Sequence, residues 1–348
     1  MDKIIRVVVV DDSSYVRKVI KQMLSRSPFI DVIGAARDGV EALEMVETLN
    51  PDVVVSDLIM PRMDGIAFLR EQMARKPVPV VVVSITNEGG ELALAALDAG
   101  AIDFIQKPTA LATEKIFEVS DELIQKVKAA STVSMKAHTL VTGPGTEAVR
   151  PSVRAAGERL VDIVVIGIST GGPQALKYLI PQFPADFSVP IAVVLHMPVG
   201  YTELYARKLN ELSQLDVREA QEGDRLTPGV LLLAAAGRHL SLQRQDNGTV
   251  TTHLDTRPFD TPHRPSVDVL FQSTSEIYRN RTLGVVMTGM GSDGKQGSAW
   301  IKAQGGLVYT EAEETCVVYG MPRSVVEAGL SDRSEPLDRI ARAIMEVV

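Results

Sequence analysis

Five short runs, rich in Val and Ile and often unbroken by polar residues, restrict how this chain can fold more than any other feature. They occupy residues 4–10, 32–36, 53–56, 80–84 and 102–105. A strand with one wet face alternates apolar and polar residues. A run such as Val7-Val8-Val9-Val10 leaves no wet face, as in a parallel sheet covered on both sides. Between the runs, residues 15–23, 39–49, 65–73 and 91–99 carry helical patterns. Parallel strands need such crossovers, so the alternation predicts a doubly wound α/β domain.

The pattern breaks near residue 126. Residues 131–151 are rich in Ser, Thr, Gly and Pro, and Gly143-Pro144-Gly145 cannot sit inside a helix or a central strand. This stretch reads as a linker, with a helix over 113–128 leading into it. Strand-like runs then resume at 162–167, 191–195, 230–234, 283–288 and 307–309. Helical patterns cover 174–180, 203–212, 267–278 and 337–347. Residues 239–243 and 249–254 flank Asn247-Gly248, the turn signal of an antiparallel hairpin. The expected organisation is one α/β domain at 1–125, a linker at 126–158, and a second α/β domain at 159–348. The second has a mostly parallel sheet and a hairpin insertion. A chain of 348 residues with 45% hydrophobic content is long enough for two such cores.

Charge and cysteine content exclude some classes of function. A net charge of -8 argues against a general nucleic-acid binder, which needs a basic face. The lone Cys316 can form neither an intrachain disulfide nor a cysteine metal cluster, and it reads as a packed small residue. The first apolar run stops at Asp11-Asp12, too short for a signal sequence or a membrane span. The expectation is a soluble cytoplasmic protein with no direct membrane insertion.

Asp11 and Asp12 follow the first strand run, and Asp57 follows the third. In a flavodoxin-like strand order these two strands are neighbours, and their carboxyl ends form the switch-point crevice. Three carboxylates meeting there would repel, so Mg²⁺, which takes carboxylate, water and phosphoryl oxygens, is the natural partner. Ser84 ends the fourth run and Lys107-Pro108 follows the fifth, on the same edge. A hydroxyl and an ammonium there suit phosphoryl oxygens, with Asp57 as the nucleophile that forms an acyl phosphate. Taken singly, each has a structural alternative; Asp-Asp-Ser, for example, is also a helix cap.

These segments, together with Ser56-Asp57-Leu58-Ile59-Met60-Pro61-Arg62-Met63-Asp64-Gly65, resemble a receiver domain of two-component signalling. The resemblance implies phosphoryl transfer from a histidine kinase to Asp57. It also implies Mg²⁺ ligation by Asp12, Asp57 and the Ile59 carbonyl with Asp11 close by, and switch positions at Ser84 and Phe104. The loop Asn87-Glu88-Gly89-Gly90 is less standard for the family.

Gly167-Ile168-Ser169-Thr170-Gly171 fits a strand–turn–helix serine elbow, and the helix N-terminus after it offers N–H groups for an oxyanion. His196 closes the run 191–195. Asp293 lies in the glycine-rich stretch Thr288-Gly289-Met290-Gly291-Ser292-Asp293-Gly294 after the run 283–288. In a parallel sheet all three reach one edge, where serine, imidazole and carboxylate can act together, with the Met290 N–H as a second oxyanion donor. From the residues alone, His138, His239, His253 or His263 could also be the base, and Ser169-Thr170-Gly171-Gly172 could be a phosphate-cradling turn. The order Ser169, His196, Asp293 is not that of α/β-hydrolases.

Residues from about 160 onward resemble the catalytic domain of chemotaxis protein-glutamate methylesterases. The resemblance rests on Ile166-Gly167-Ile168-Ser169-Thr170-Gly171-Gly172-Pro173, Leu195-His196-Met197-Pro198, His263-Arg264-Pro265-Ser266-Val267-Asp268-Val269-Leu270-Phe271 and Met287 through Gly294. It departs at Ile168, where the family has a small residue, and at Ala234-Ala235-Ala236-Gly237, which replaces an Ala-Pro-Gly stretch. The resemblance implies Ser169 as nucleophile, His196 as base and Asp293 as orienting acid, with Thr170 and Met290 lining the site. It implies demethylation of glutamyl esters on chemoreceptors, and deamidation of receptor glutamines, under phosphorylation control by a chemotaxis histidine kinase. Ester hydrolysis itself would need no metal. A catalytically silent, phosphorylation-dependent binding module is the alternative.

Overall fold

The computed structural model describes residues 3–84, 90–107, 113–133, 135, 160–258 and 260–348, with backbone only at 113–118. The chain divides into two compact units, Met1–Thr142 and Gly143–Val348. Asn87, Glu88, Gly89, Pro108, His138 and most of the expected linker lie outside the described residues.

In the first unit, strands β1 (Ile5–Val10), β2 (Ile30–Ala36), β3 (Val53–Asp57), β4 (Val80–Ser84) and β5 (Asp103–Gln106) form one sheet. Its order is β2-β1-β3-β4-β5, and every pairing is parallel. The aliphatic runs are buried: Val7 to Val10, Val53 to Val55 and Val80 to Val82 have no exposed surface. Helices α1 (Ser14–Leu24), α2 (Gly39–Leu49), α3 (Gly65–Arg75) and α4 (Gly90–Asp98) make the four crossovers, and α5 (Thr113–Ser131) follows β5. The last of these runs past residue 126, so the first residues expected in the linker are helical. Ser13 caps α1 by accepting the Val16 N–H, so the cap role falls to the serine and not to Asp11 or Asp12. Strand order reverses between β1 and β3, the switch point expected for this fold.

The second unit is a seven-stranded sheet of order β14-β13-β12-β6-β7-β9-β8. Its strands are β6 (Ile163–Ile168), β7 (Ile191–Leu195), β8 (Asp216–Glu219), β9 (Val230–Leu233), β12 (Thr282–Val286), β13 (Leu307–Glu311) and β14 (Arg333–Glu335). All six pairings in it are parallel. β10 (His239–Arg244) and β11 (Val250–Asp255) pair antiparallel around Asn247-Gly248, as a separate two-stranded sheet. The helices are α6 (Gly172–Leu179), α7 (Thr202–Leu212), α8 (Val267–Tyr278), α9 (Lys295–Ala303), α10 (Met321–Glu327) and α11 (Leu337–Met345). α8 packs Leu270 and Phe271 into a core with Val165, Val194, Leu240 and Val286. Order reverses between β6 and β12, so a second switch-point crevice opens where those two strands end. Among the described residues no helix is long and apolar enough to cross a membrane.

Candidate functional sites

Each unit gathers its chemical residues at its own switch point. In the first unit, β1 ends at Val10 and β3 ends on Asp57 itself, so their parallel pairing sets Asp11, Asp12 and Asp57 side by side. One carboxylate oxygen from each lies within 4.8 Å of the others, with Asp12 exposed and the other two buried. Lys107 Nζ reaches Asp11 Oδ2 and Asp57 Oδ2, both at 2.7 Å. Burial lifts Asp11 above the ordinary carboxylate range even though Lys107 and the Ser13 N–H pull it down. At Lys107 the two carboxylates outweigh burial, and the ammonium is held more firmly charged. A hard cation suits such a set: three carboxylates, one facing solvent, with a single lysine to offset them. Ser84 and Phe104 lie buried on β4 and β5, and the Lys107 N–H donates to the Ser84 carbonyl at 2.6 Å. Ile59, whose carbonyl was expected to face the ion, is exposed.

In the second unit, Ser169 follows β6, His196 follows β7, and the segment from Met287 to Asp293 follows β12. The backbone ties these turns together. The His196 N–H donates to the Ile168 carbonyl at 3.1 Å, and the Ser169 N–H donates to the Thr288 carbonyl at 2.9 Å. Two glycines make this possible. Gly171 caps α6 at φ +79, and a Cβ there would strike Val317; a Cβ on Gly289 would lie 2.7 Å from that of Ser169. Thr170 is buried beside the serine, its carbonyl accepting the Thr288 hydroxyl at 3.0 Å. Met290 stands between Gly289 and Gly291 in the turn after β12.

His196 Nε2 lies 2.8 Å from Asp293 Oδ2, while Nδ1 is buried with no hydrogen-bond partner among the described residues. Asp293 is buried and accepts four further hydrogen bonds: from the Ser266 hydroxyl at 2.9 Å and from the N–H groups of Val267, Asp268 and Gly294 at 2.8, 3.0 and 3.1 Å. Burial alone would raise its pKa. The His196 hydrogen bond and charge, with the amides of Asp268 and Val267, win and hold it well below the carboxylate range. With Asp293 ionised, the imidazole proton belongs on Nε2 and the free lone pair on Nδ1.

The amides of Val267 and Asp268 open α8, so Asp293 caps that helix from another loop. Asp268 returns the favour at α9, accepting from Gly294 N at 2.9 Å and Gly297 N at 2.7 Å. Each carboxylate satisfies N–H groups that a helix start leaves unpaired. Burial and the charge of Asp293 raise the pKa of Asp268. Sequence reading quoted Ser266 and Asp268 but gave them no role. An acid in the first turn after a Ser-Val pair was the available signal.

Of the competing histidines, His138 lies outside the described residues, and the other three have their own surroundings. His239 is buried with both ring nitrogens engaged: Nδ1 accepts the Ser266 N–H at 3.2 Å and Nε2 lies 3.0 Å from the Pro258 carbonyl. Burial keeps its pKa below the ordinary histidine value. His253 pairs with Glu222 on the hairpin at 3.0 Å. His263 stacks on His196, ring centroids 4.1 Å apart, a contact that sequence spacing gave no means of seeing. Cys316 is buried, and burial pushes its thiol far above the range where it ionises.

Known proteins resemble this chain over nearly its whole length. Residues 164–344 match the CheB methylesterase family and residues 7–118 the response regulator receiver domain. Protein-glutamate methylesterase/protein-glutamine glutaminase 5 of Myxococcus xanthus is 49% identical over 96% of this chain and 95% of its own. The protein-glutamate methylesterase/protein-glutamine glutaminase of Geobacillus kaustophilus is 44% identical over 99% of both chains. The crystal structure of the Thermotoga maritima CheB methylesterase catalytic domain superposes with a TM-score of 0.53 at 43% identity, covering 54% of this chain and 99% of that one. With its receiver unit and its hydrolase unit both matched, the chain belongs to the CheB methylesterase family.

Proposed function

We propose that this protein hydrolyses glutamyl methyl esters on methyl-accepting chemoreceptors, and deamidates receptor glutamines by the same acyl chemistry, under control of phosphorylation at Asp57. The observation that carries this reading is the imidazole of His196. One nitrogen is fixed on a firmly ionised carboxylate, and the other is buried with no hydrogen-bond partner among the described residues, on a residue whose backbone N–H is tied to Ile168, the neighbour of Ser169. Ser169 Oγ attacks the ester carbonyl and passes its proton to His196 Nδ1, while Nε2–H stays on Asp293. The Met290 N–H and the start of α6, beside Thr170, receive the oxyanion. The C–O bond to methanol breaks, and His196 returns the proton to the methanol oxygen. Water then attacks the acyl-serine with His196 again as base, releasing glutamate and restoring Ser169. When a glutamine side chain is the substrate, ammonia leaves instead.

In the receiver unit, a histidine kinase is the phosphodonor and Asp57 the acceptor. Mg²⁺ held by Asp12, Asp57 and the Ile59 carbonyl, with Asp11 close by, would offset the charge of the incoming phosphoryl group. Lys107 would take one phosphoryl oxygen, and Ser84 and Phe104 would answer as switch residues. The two family matches and the net charge of -8 favour a cytoplasmic signalling enzyme that binds no nucleic acid.

The test is methanol release from methylated receptor, with and without acetyl phosphate and Mg²⁺. Release is expected to rise with the phosphodonor. Ser169→Ala should lower it by on the order of 10³-fold or more while Asp57 still takes phosphate. Release that survives in Ser169→Ala overturns the assignment. No release from folded, phosphorylatable protein would point instead to a binding module.

A further inference from the structure

Glu311, the last residue of β13, is completely buried and lies directly behind the hydrolase site. Its Oε2 accepts the Thr288 N–H at 2.9 Å. The carbonyl of the same Thr288 accepts the Ser169 N–H, also at 2.9 Å. The Thr288 side chain extends the tie, donating to the Thr170 carbonyl and accepting the Val318 N–H at 3.0 Å. One residue therefore separates a buried acid from the backbone of the reacting serine. We propose that Glu311, as the neutral acid, is a positioning residue that fixes the Thr288 peptide and, through it, Ser169. The inference rests on the hydrolase reading above.

The hydrogen bonds around Glu311 can all be satisfied with the acid neutral, and no cation lies beside it to hold it ionised. Oε1 and Thr315 Oγ1 are 3.0 Å apart, and that oxygen also accepts the Leu337 N–H at 3.0 Å and lies 3.4 Å from the Ala312 carbonyl. Thr315 donates to Oε1 when the acid is ionised; when it is neutral, Oε1–H can donate across the same contact and Thr315 can donate to the Ala312 carbonyl, so neutralisation leaves no polar atom unsatisfied. The groups acting on the carboxyl are the Thr288 amide, the Thr315 hydroxyl and the Cys316 thiol, none of them a cation. Glu313 and Glu314 on the next turn are exposed anions. An ionised Glu311 would thus be a buried charge without a counter-ion. Burial, opposed by the Thr288, Thr315 and Cys316 hydrogen bonds, pushes its pKa up to about 7. Above that value Glu311 becomes a buried anion with no cation beside it, and the cost of keeping it there disturbs the packing that holds Thr288 and the serine turn.

The experiment is the pH–rate profile of methanol release from methylated receptor by the full chain, acetyl phosphate and Mg²⁺ present, in the parent and in Glu311→Gln. Gln keeps an acceptor for Thr288 and a donor for Thr315 but cannot ionise. The parent should lose kcat above a midpoint near 7, falling roughly tenfold per pH unit, with KM little changed. In Glu311→Gln that fall should be absent up to about pH 9, with kcat at pH 6 within about twofold of the parent. Glu311→Ala, which offers no acceptor, should lose roughly tenfold or more in kcat at every pH. An identical alkaline fall in parent and Glu311→Gln overturns the proposal, as does parental kcat in Glu311→Ala. Methanol release that survives in Ser169→Ala would instead sink the hydrolase reading itself. Receiver titrations are common to both chains and cancel in the comparison.

Discussion

The two units solve the same topological problem and put opposite electrostatics at the answer. Both reverse strand order at a crevice, and both place a buried carboxylate there. In the receiver, Asp11 and Asp57 share Lys107, Asp12 beside them faces solvent, and Asp11 is pushed toward neutrality by burial. In the hydrolase, Asp293 is saturated by one hydroxyl, three amides and an imidazole, and is held firmly ionised. The donors around Asp293 are fixed by folding and cannot leave. Around the receiver cluster the fold supplies the Ser13 and Leu58 amides and a single cation, Lys107, and further positive charge must enter from solvent. A carboxylate locked by the fold orients a neighbour, whereas a cluster left short of positive charge is ready to take a cation and a phosphoryl group.

The largest effect should come from unlocking the first kind. Asp293→Asn would turn an acceptor-only group into one that also donates, favouring the wrong imidazole tautomer. The expected loss in kcat is on the order of 10³–10⁴-fold, with receiver phosphorylation unaffected. A loss below about tenfold would mean that His196 does not need its carboxylate. At the other crevice, Asp57→Asn should bring the ratio of methanol release with and without acetyl phosphate to unity. A ratio that still rises would place the phosphorylated residue elsewhere.

The comparison also has a pH signature, next in size, because two buried carboxylates of the hydrolase unit carry opposite shifts. Glu311 binds its proton more tightly folded than unfolded. Its stabilisation is therefore full below the ordinary value of 4.5 and lost as pH rises through about 7. At about 1.4 kcal/mol per unit, that amounts to roughly 3 kcal/mol as an upper bound. Asp293 behaves in reverse: its stabilisation is present above 3.8 and lost as pH falls through its lowered value. Urea midpoints should thus show Glu311→Gln gaining on the parent between pH 5 and 8, and Asp293→Asn losing least against the parent in strong acid. Parallel pH curves for all three chains would mean that these groups titrate as they do in water.

How much of this was legible in the sequence follows the range of the interaction. Runs buried on both faces are a local signal, and all twelve strands expected from them or from the hairpin turn are present, with ends shifted by a few residues. β8 (Asp216–Glu219) and β14 (Arg333–Glu335) were missed because they are short edge strands rich in charge. α9 and α10 were missed because glycines and a proline obscure their periodicity. The residues at strand ends were readable, since a parallel sheet brings them to one edge. Their supports were not. His263 meets His196 across 67 positions of sequence (263 less 196), and Glu311 reaches Thr288 across a strand pairing that no local pattern encodes.

Ser266 marks where the comparison should yield its smallest effect. It stands in the N-cap position of α8, where a serine hydroxyl usually satisfies its own helix. Here the side chain makes no such bond and donates to Asp293 Oδ1 instead, while Asp293 caps the helix in its place. Ser266→Ala removes one donor of five from a buried anion and leaves the backbone donors intact. A hydrogen bond to a charged group is worth ~1.5–3 kcal/mol, but the remaining four donors can absorb part of its loss. The expected fall in kcat is therefore roughly tenfold, with KM nearly constant. If the rate instead drops as far as in Asp293→Asn, the carboxylate depends on the side chain more than on the fold. If nothing changes, the backbone amides alone fix the acid, and the contrast with the receiver cluster is sharper still.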